Sequence, residues 1–173
     1  FIAAKKLGKN GKVIGIDMTD EMLEKARDSA KKVAAVLGYD IVEFRAGNIM
    51  ELPVESNTVD LVISNCVINL TEDKAKVLEE ILRILKPGGR FIISDIVSDK
   101  PVPGYLKRDK ELWNACLSGA LTDKGFTEVA EKAGFSNVSM TKNYLYKKVE
   151  YIEFYSITLK GSKPGKVSCS SCC

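Results

Sequence analysis

The chain has 173 residues, 45% hydrophobic and 28% charged, proportions that fit one globular domain with a proper core and exclude disordered, collagenous and disulfide-stapled classes. Its 26 Lys+Arg against 23 Asp+Glu leave a net charge of +3 spread along the sequence, so no electrostatic footprint for nucleic acid stands out. No apolar run approaches the roughly 20 residues that span a bilayer and no signal-peptide order opens the chain, so a cytoplasmic protein with neither nucleic-acid nor membrane partners is expected.

Ile2-Ala3-Ala4-Lys5-Lys6-Leu7 reads as the last turns of a helix, and with Phe1 in first place a natural N-terminal portion is expected to precede it. Lys12–Asp17 is a short apolar run after Asn10-Gly11 and predicts a strand. Met22, Ala26, Ala30, Val33 and Leu37 then recur at helical spacing, with Asp20 and Glu21 in the first turn and Gly38 placed as the stop. Ile41–Phe44 is the next strand, and Val59–Ser64 is a nearly continuous β-branched run of the kind buried on both faces of a parallel sheet. A helix from Asp73 to Leu85 carries Val77, Leu78, Ile81, Ile84 and Leu85 on one stripe and breaks at Lys86-Pro87-Gly88-Gly89. Arg90–Asp95 supplies a further buried strand. Tyr105–Leu117 predicts one helix, Thr122 caps another that ends before Gly134, and Val138–Tyr146 with Ile152–Lys160 form a closing strand pair. Alternating strands and helices of this length predict an α/β domain over residues 1–160 with a mostly parallel sheet, followed by a flexible Cys-rich tail at 161–173.

In such sheets ligands bind beyond the carboxyl ends of the strands, which draws attention to Asp17, Gly47-Asn48, Asn65-Cys66 and the stretch after Asp95. An acidic residue ending a nucleotide-binding strand can accept both ribose hydroxyls, so Asp17 is either a contact for an adenosine cofactor or a residue that turns the chain into its helix. The Gly-rich loop that should precede it is absent from the sequence, and Pro87-Gly88-Gly89, which follows a helix, is not that loop. Histidine is absent, which excludes His-based triads and His-ligated zinc. The five cysteines are an odd number and read as reduced thiols. Cys66 lies two residues past its strand and Cys116 in the helix or turn that follows the last parallel strand. Both could converge on one crevice, where soft thiolates would hold a thiophilic metal or metalloid, the alternative being that both are core residues. Cys169, Cys172 and Cys173 crowd the tail and are accessory.

The succession Val13–Thr19 with Met22, Leu23 and Ala26, then Gly47–Pro53, Val59–Asn65 and Leu85–Gly89, resembles the class I S-adenosylmethionine-dependent methyltransferases over most of the chain. Ser64–Leu70 and Leu112–Leu121 are similar to the two cysteine segments of the arsenite methyltransferases. The resemblance implies a Rossmann-like sheet with helices on both faces, lacking its first strand and Gly-rich loop. It implies S-adenosylmethionine as cofactor, with Asp17 on the ribose, Met18 lining the adenine pocket, Asn48 and Ile49 on the adenine edge, and Asn65 also at the cofactor. Cys66 and Cys116 would be the arsenic-binding thiolates and catalytic residues, with trivalent arsenic as substrate beside a thiol reductant, in the service of arsenic detoxification. With the family's central strand missing, the expectation is that the strands ending at Asp17 and Ser64 pair directly, that a second copy associates through the unpaired edge, or that the chain is unstable. Two alternatives stay open: a methyltransferase for another small molecule with structural cysteines, and a non-catalytic thiol protein that sequesters arsenite or a soft metal. A hydride-transferring Rossmann enzyme is disfavoured by the lack of a second nucleotide-binding half.

Overall fold

The computed structural model describes residues 1–165, so Cys169, Cys172 and Cys173 lie outside the described residues. The chain forms two compact units, Phe1–Pro53 and a second starting at Val54.

In the first unit a short helix α1 (Ile2–Leu7) leads to strand β1 (Val13–Asp17), helix α2 (Asp20–Leu37) and strand β2 (Val42–Ala46). β1 and β2 pair in parallel from Val13↔Val42 to Asp17↔Ala46. The crossover helix makes this possible, because parallel neighbours need a long connection. α2 carries Asp20 and Glu21 in its first turn and buries Leu23 and Ala30. It ends as the sequence predicts: Gly38 adopts the left-handed conformation at φ 78°, and its amide donates to the Ala34 carbonyl at 2.9 Å.

The second unit contains β3 (Val59–Asn65), α3 (Lys74–Ile84), β4 (Leu85–Ser98), α4 (Gly104–Lys107), α5 (Lys110–Asn114), α6 (Asp123–Lys132), β5 (Ser136–Val149) and β6 (Ile152–Ser162). Its sheet runs β3-β4-β6-β5, with β3 and β4 parallel and the two ladders to β6 antiparallel. The closing pair is a hairpin joined at Glu150-Tyr151, with Glu150 at φ 53°. α3 buries Val77, Leu78, Ile81 and Ile84, and its N-cap Asp73 accepts the Lys76 amide at 2.9 Å. On β4 the alternation places Phe91, Ile93 and Asp95 on one face and Ile96 and Ser98 on the other, all of them buried. Phe91 meets Phe135, just past α6, edge to face at 4.6 Å. A second cluster gathers Ile96, Val102, Leu106, Cys116, Leu117, Ala120, Ile152 and Phe154.

Three expectations change. Lys86-Pro87-Gly88-Gly89 ends α3 as predicted but does not separate it from the strand, since β4 already begins at Leu85. Gly89 serves close approach here, since a Cβ on it would stand 2.8 Å from the Lys86 carbonyl and 3.1 Å from that of Val59, while Gly88 takes the left-handed conformation at φ 81°. The segment is tied to Lys163 by two backbone hydrogen bonds, 3.0 Å to Gly88 and 2.8 Å to Gly89, so pairing continues past Lys160. The single helix expected over Tyr105–Leu117 is two short ones, because the Asp109 carboxylate caps a fresh start by accepting from Glu111 and Leu112. β1 and β3 lie in different sheets among the described residues, so the expected direct pairing of these two strands does not form. Among these residues no helix is long and apolar enough to cross a membrane.

Phe91 has no exposed surface, and Phe91→Ala is expected to cost about 3–5 kcal/mol of unfolding free energy. Urea denaturation of the two chains measures it, and a loss under about 1 kcal/mol would contradict the assigned core.

Candidate active site

Apart from Cys116, the singled-out residues lie at the carboxyl ends of the parallel strands of their own units. In the first, Asp17 closes β1 and opposes Ala46 at the end of β2. The Gly47 amide donates to the Asp17 carbonyl at 3.0 Å, which holds the two strand ends together. Gly47 has little room for a side chain, since a Cβ would lie 2.6 Å from Pro53 Cδ and 3.3 Å from Ile16 Cγ2. The Asp17 carboxylate is half-buried; its Oδ1 accepts the Thr19 amide at 2.9 Å and also the Thr19 hydroxyl. The Thr19 hydroxyl and amide hold this carboxyl below the usual carboxylate range, so it is an anion at neutral pH. Asp17 therefore does turn the chain into α2, and the turn is made through one carboxylate oxygen. Met18 follows it and is 74% exposed. Asn48 is exposed and heads a tight turn, its Oδ1 accepting the Met50 amide at 2.9 Å while its carbonyl accepts the Glu51 amide at 3.0 Å. Ile49 sits half-buried within that turn.

In the second unit Asn65 is the exposed last residue of β3, paired with Ser94 of β4. Cys66 follows with its amide donating to the Ser94 carbonyl at 2.9 Å. Cys116 ends the turn after α5, its amide donating to the Trp113 carbonyl at 2.9 Å. The two converge: the Cys116 thiol donates to the Cys66 carbonyl at 3.5 Å. Cys66 is exposed and Cys116 is buried. Both take the left-handed backbone conformation, with φ 52° at Cys66 and 61° at Cys116. For a residue with a Cβ this costs about 1–2 kcal/mol, and only surrounding structure that over-determines the turn maintains it.

That surrounding structure consists of residues the sequence reading passed over. Asp95 is 1% exposed. Its Oδ2 accepts the Ile68 and Asn69 amides at 3.2 and 3.3 Å, and its Oδ1 accepts the Ile96 amide at 2.9 Å. Burial raises its pKa, with the three amides and the Lys74 ammonium pulling the other way. Lys74, itself buried, donates to the Thr71 carbonyl at 3.0 Å, and desolvation lowers its pKa against the pull of Asp95. Asn69 Nδ2 donates to the Ile96 carbonyl at 2.7 Å and the Cys116 carbonyl at 3.1 Å. A charged residue closing the apolar run of β4 was the available sequence signal for Asp95; Asn69 had none, because its partners are 27 and 47 residues away. Among the described residues no group of three or more Cys, Asp or Glu side chains is placed to hold a metal ion, so the thiol site here is a pair.

A methyltransferase domain model matches residues 1–148. This chain belongs to the methyltransferase domain family. Within it, the chain is 42% identical over 140 residues to an arsenite methyltransferase of Halobacterium salinarum, covering 81% of this chain and 35% of that protein. It is 36% identical over 171 residues to the arsenite methyltransferase of Aquipseudomonas alcaligenes, covering 92% of this chain and 49% of that one. The crystal structure of an arsenic(III) S-adenosylmethionine methyltransferase from Chlamydomonas reinhardtii superposes with a TM-score of 0.85 at 37% identity, over 94% of this chain and 59% of that chain. A Haemonchus contortus phosphoethanolamine N-methyltransferase in complex with S-adenosylmethionine shares the fold, with a TM-score of 0.70 at 19% identity over 88% of this chain and 43% of that one. The methyltransferase domain described here thus spans from about a third to a half of the length of these curated arsenite methyltransferases.

Desolvation, with the charges of Asp95 and Cys66 adding to it, pushes the Cys116 thiol from its ordinary 9.0 up to about 11, and the same burial and Asp95 raise Cys66. A folded-state pKa above the unfolded one means that the neutral thiol is favoured by folding. That contribution is full below pH 9.0 and is lost as pH rises toward about 11. The rate of Cys116 alkylation by iodoacetamide is therefore expected to keep climbing past pH 9.0 and to level near 11, read by peptide mass mapping; a plateau near 9.0 would contradict the desolvated site.

Proposed function

We propose that this chain forms the part of an S-adenosylmethionine-dependent arsenite methyltransferase that holds trivalent arsenic between Cys66 and Cys116. The observation that carries the reading is the convergence of the two thiol residues, with Cys116 Sγ 3.5 Å from the Cys66 carbonyl, within cysteine segments that lie 50 residues apart in sequence. The 36–42% identity to arsenite methyltransferases supports arsenic over other soft ions.

The chemistry suits thiols that are protonated at neutral pH. When As(OH)3 meets two thiols, two As–S bonds form, two As–O bonds break, and each thiol proton leaves with a hydroxide as water. Raised thiol pKa values therefore do not prevent loading. Arsenic held by two sulfurs keeps its lone pair and is itself the nucleophile, so no side chain has to remove a proton from it, in keeping with a chain that has no histidine. The chemistry that S-adenosylmethionine supplies when bound is an electrophilic sulfonium methyl group. The chain's contribution is to hold the arsenic and orient its lone pair, a positioning effect that reaches roughly 7–11 kcal/mol when the reacting groups are well aligned.

The first unit fits the cofactor's adenosine end. Asp17 is held as an anion by Thr19 bonds that fall on Oδ1, leaving Oδ2 as the acceptor for a ribose hydroxyl. The exposed Met18 offers apolar contact to an adenine ring, and the Asn48-Ile49 turn presents backbone and side-chain groups to its edge. In the second unit, Asn65, exposed at the end of β3, is the residue this reading assigns to the cofactor.

Two measurements test the reading. With Cys169, Cys172 and Cys173 changed to Ser, native mass spectrometry of the reduced chain with trivalent arsenic is expected to show one bound arsenic, lost in both Cys66→Ser and Cys116→Ser. Binding indifferent to both changes would transfer the reading to a methyltransferase of another small molecule. For the cofactor, Asp17→Asn is expected to weaken S-adenosylmethionine binding roughly 10- to 100-fold by calorimetry, the worth of one hydrogen bond to a charged group. An unchanged affinity would leave Asp17 as a turn residue alone.

A further inference from the structure

The carbonyl end of Asn69 poses a problem that packing alone does not answer. Asn69 is 1% exposed, and its Oδ1 is buried with no hydrogen-bond partner among the described residues. An orphaned buried acceptor costs about 1–3 kcal/mol, whereas a leucine of similar shape would fill the same space without that penalty. The amide must therefore do something that an apolar side chain does not. Its other end shows what: the two Nδ2 hydrogens go to the carbonyls of Ile96 and Cys116, at 2.7 and 3.1 Å. One carbonyl belongs to β4, and the other belongs to the residue that carries the buried thiol.

The Asn69 backbone is fixed just as firmly. Its amide donates to the buried Asp95 carboxylate, beside that of Ile68. Its carbonyl lies against Gly119, where an added Cβ would come within 2.0 Å of the oxygen, so the turn after Cys66 and the turn after Cys116 are packed backbone to backbone. Both cysteines hold left-handed backbone conformations that cysteine does not favour by itself. Among the described residues the other non-glycine residues with positive φ are Asn57, Asn137 and the hairpin residue Glu150, two of them of the type that tolerates this conformation and one in a tight turn.

We propose that Asn69, seated on Asp95, is a positioning residue that holds the Cys116 turn against the Cys66 turn and so sets the distance between the two thiols. It touches neither sulfur; it acts through the Cys116 carbonyl. The inference rests on the paired-thiol reading above, and it concerns geometry that exists before any arsenic arrives.

The test separates the two. In the background lacking the three tail cysteines, dibromobimane becomes fluorescent when it bridges two nearby thiols, while iodoacetamide reports each thiol singly. Asn69→Leu keeps the volume, removes both donors and also removes the orphaned oxygen. With its fold verified by circular dichroism, it is expected to lower bimane bridging and trivalent-arsenic affinity each by about tenfold, the scale of one or two lost hydrogen bonds, while single alkylation of Cys66 is unchanged. Asn69→Ala, which removes the donors differently, is expected to do the same. Bridging at the parent level in a folded variant overturns the proposal, and so does a parent protein that does not bridge. Unfolding of both variants also overturns it, since Asn69 would then serve the core as a whole. If bridging falls in the variants while neither parent nor variant binds arsenic, the positioning role stands and the arsenic reading fails.

Discussion

A carboxylate removed almost entirely from water organises the thiol-bearing end of the second unit. Asp95 sits within strand β4, three residues before its end, and removing its charge from solvent is expensive unless donors replace the lost hydration. Three backbone amides, from Ile68, Asn69 and Ile96, and the nearby Lys74 supply that replacement. Because two of those amides belong to the turn that follows Cys66, the same bonds that make the buried charge tolerable also fix the path of that turn. Every later feature of the site, from the Asn69 cross-tie to the approach of Cys116, depends on it.

The electrostatics have a chemical consequence. An anion near two thiols opposes their ionisation, and burial adds to the effect, so Cys66 and Cys116 are kept as neutral thiols rather than as standing thiolates. A thiolate-based nucleophile would need the opposite arrangement, with positive charge or a helix N-terminus beside the sulfur. Under the proposed arsenic reading, in which the thiols would surrender protons only as they form bonds to an incoming hydroxylated metalloid, no such arrangement is needed. The first unit shows the contrasting case, in which Thr19 keeps Asp17 ionised as it turns the chain into α2.

Much of the fold was legible along the chain. The strand-helix-strand rhythm, the Gly38 stop and the α3 stripe follow from periodicity and turn chemistry, which are local properties. The divided helix before Cys116 was missed because the apolar spacing from Tyr105 to Leu117 suits a helix. The capping competition of Asp109 decides against it, and that competition becomes visible only when the carboxylate is seen accepting from Glu111 and Leu112. The strand that swallows Pro87-Gly88-Gly89 was missed for a different reason: its partner Lys163 lies more than 70 residues away.

By itself the sequence determined the α/β class, the family resemblance and the positions of Asp17 and Cys66 at the ends of strands, because each depends on residue type and on neighbours a few positions away. It left open whether the two cysteines were core residues or partners. Tertiary structure brought the Cys116 thiol to the Cys66 carbonyl and assigned Asp95 and Asn69 their roles. Those roles consist of hydrogen bonds across 26 to 47 residues of chain. A buried donor or acceptor is satisfied by whatever the fold sets beside it, and nothing in the local sequence records which group that is.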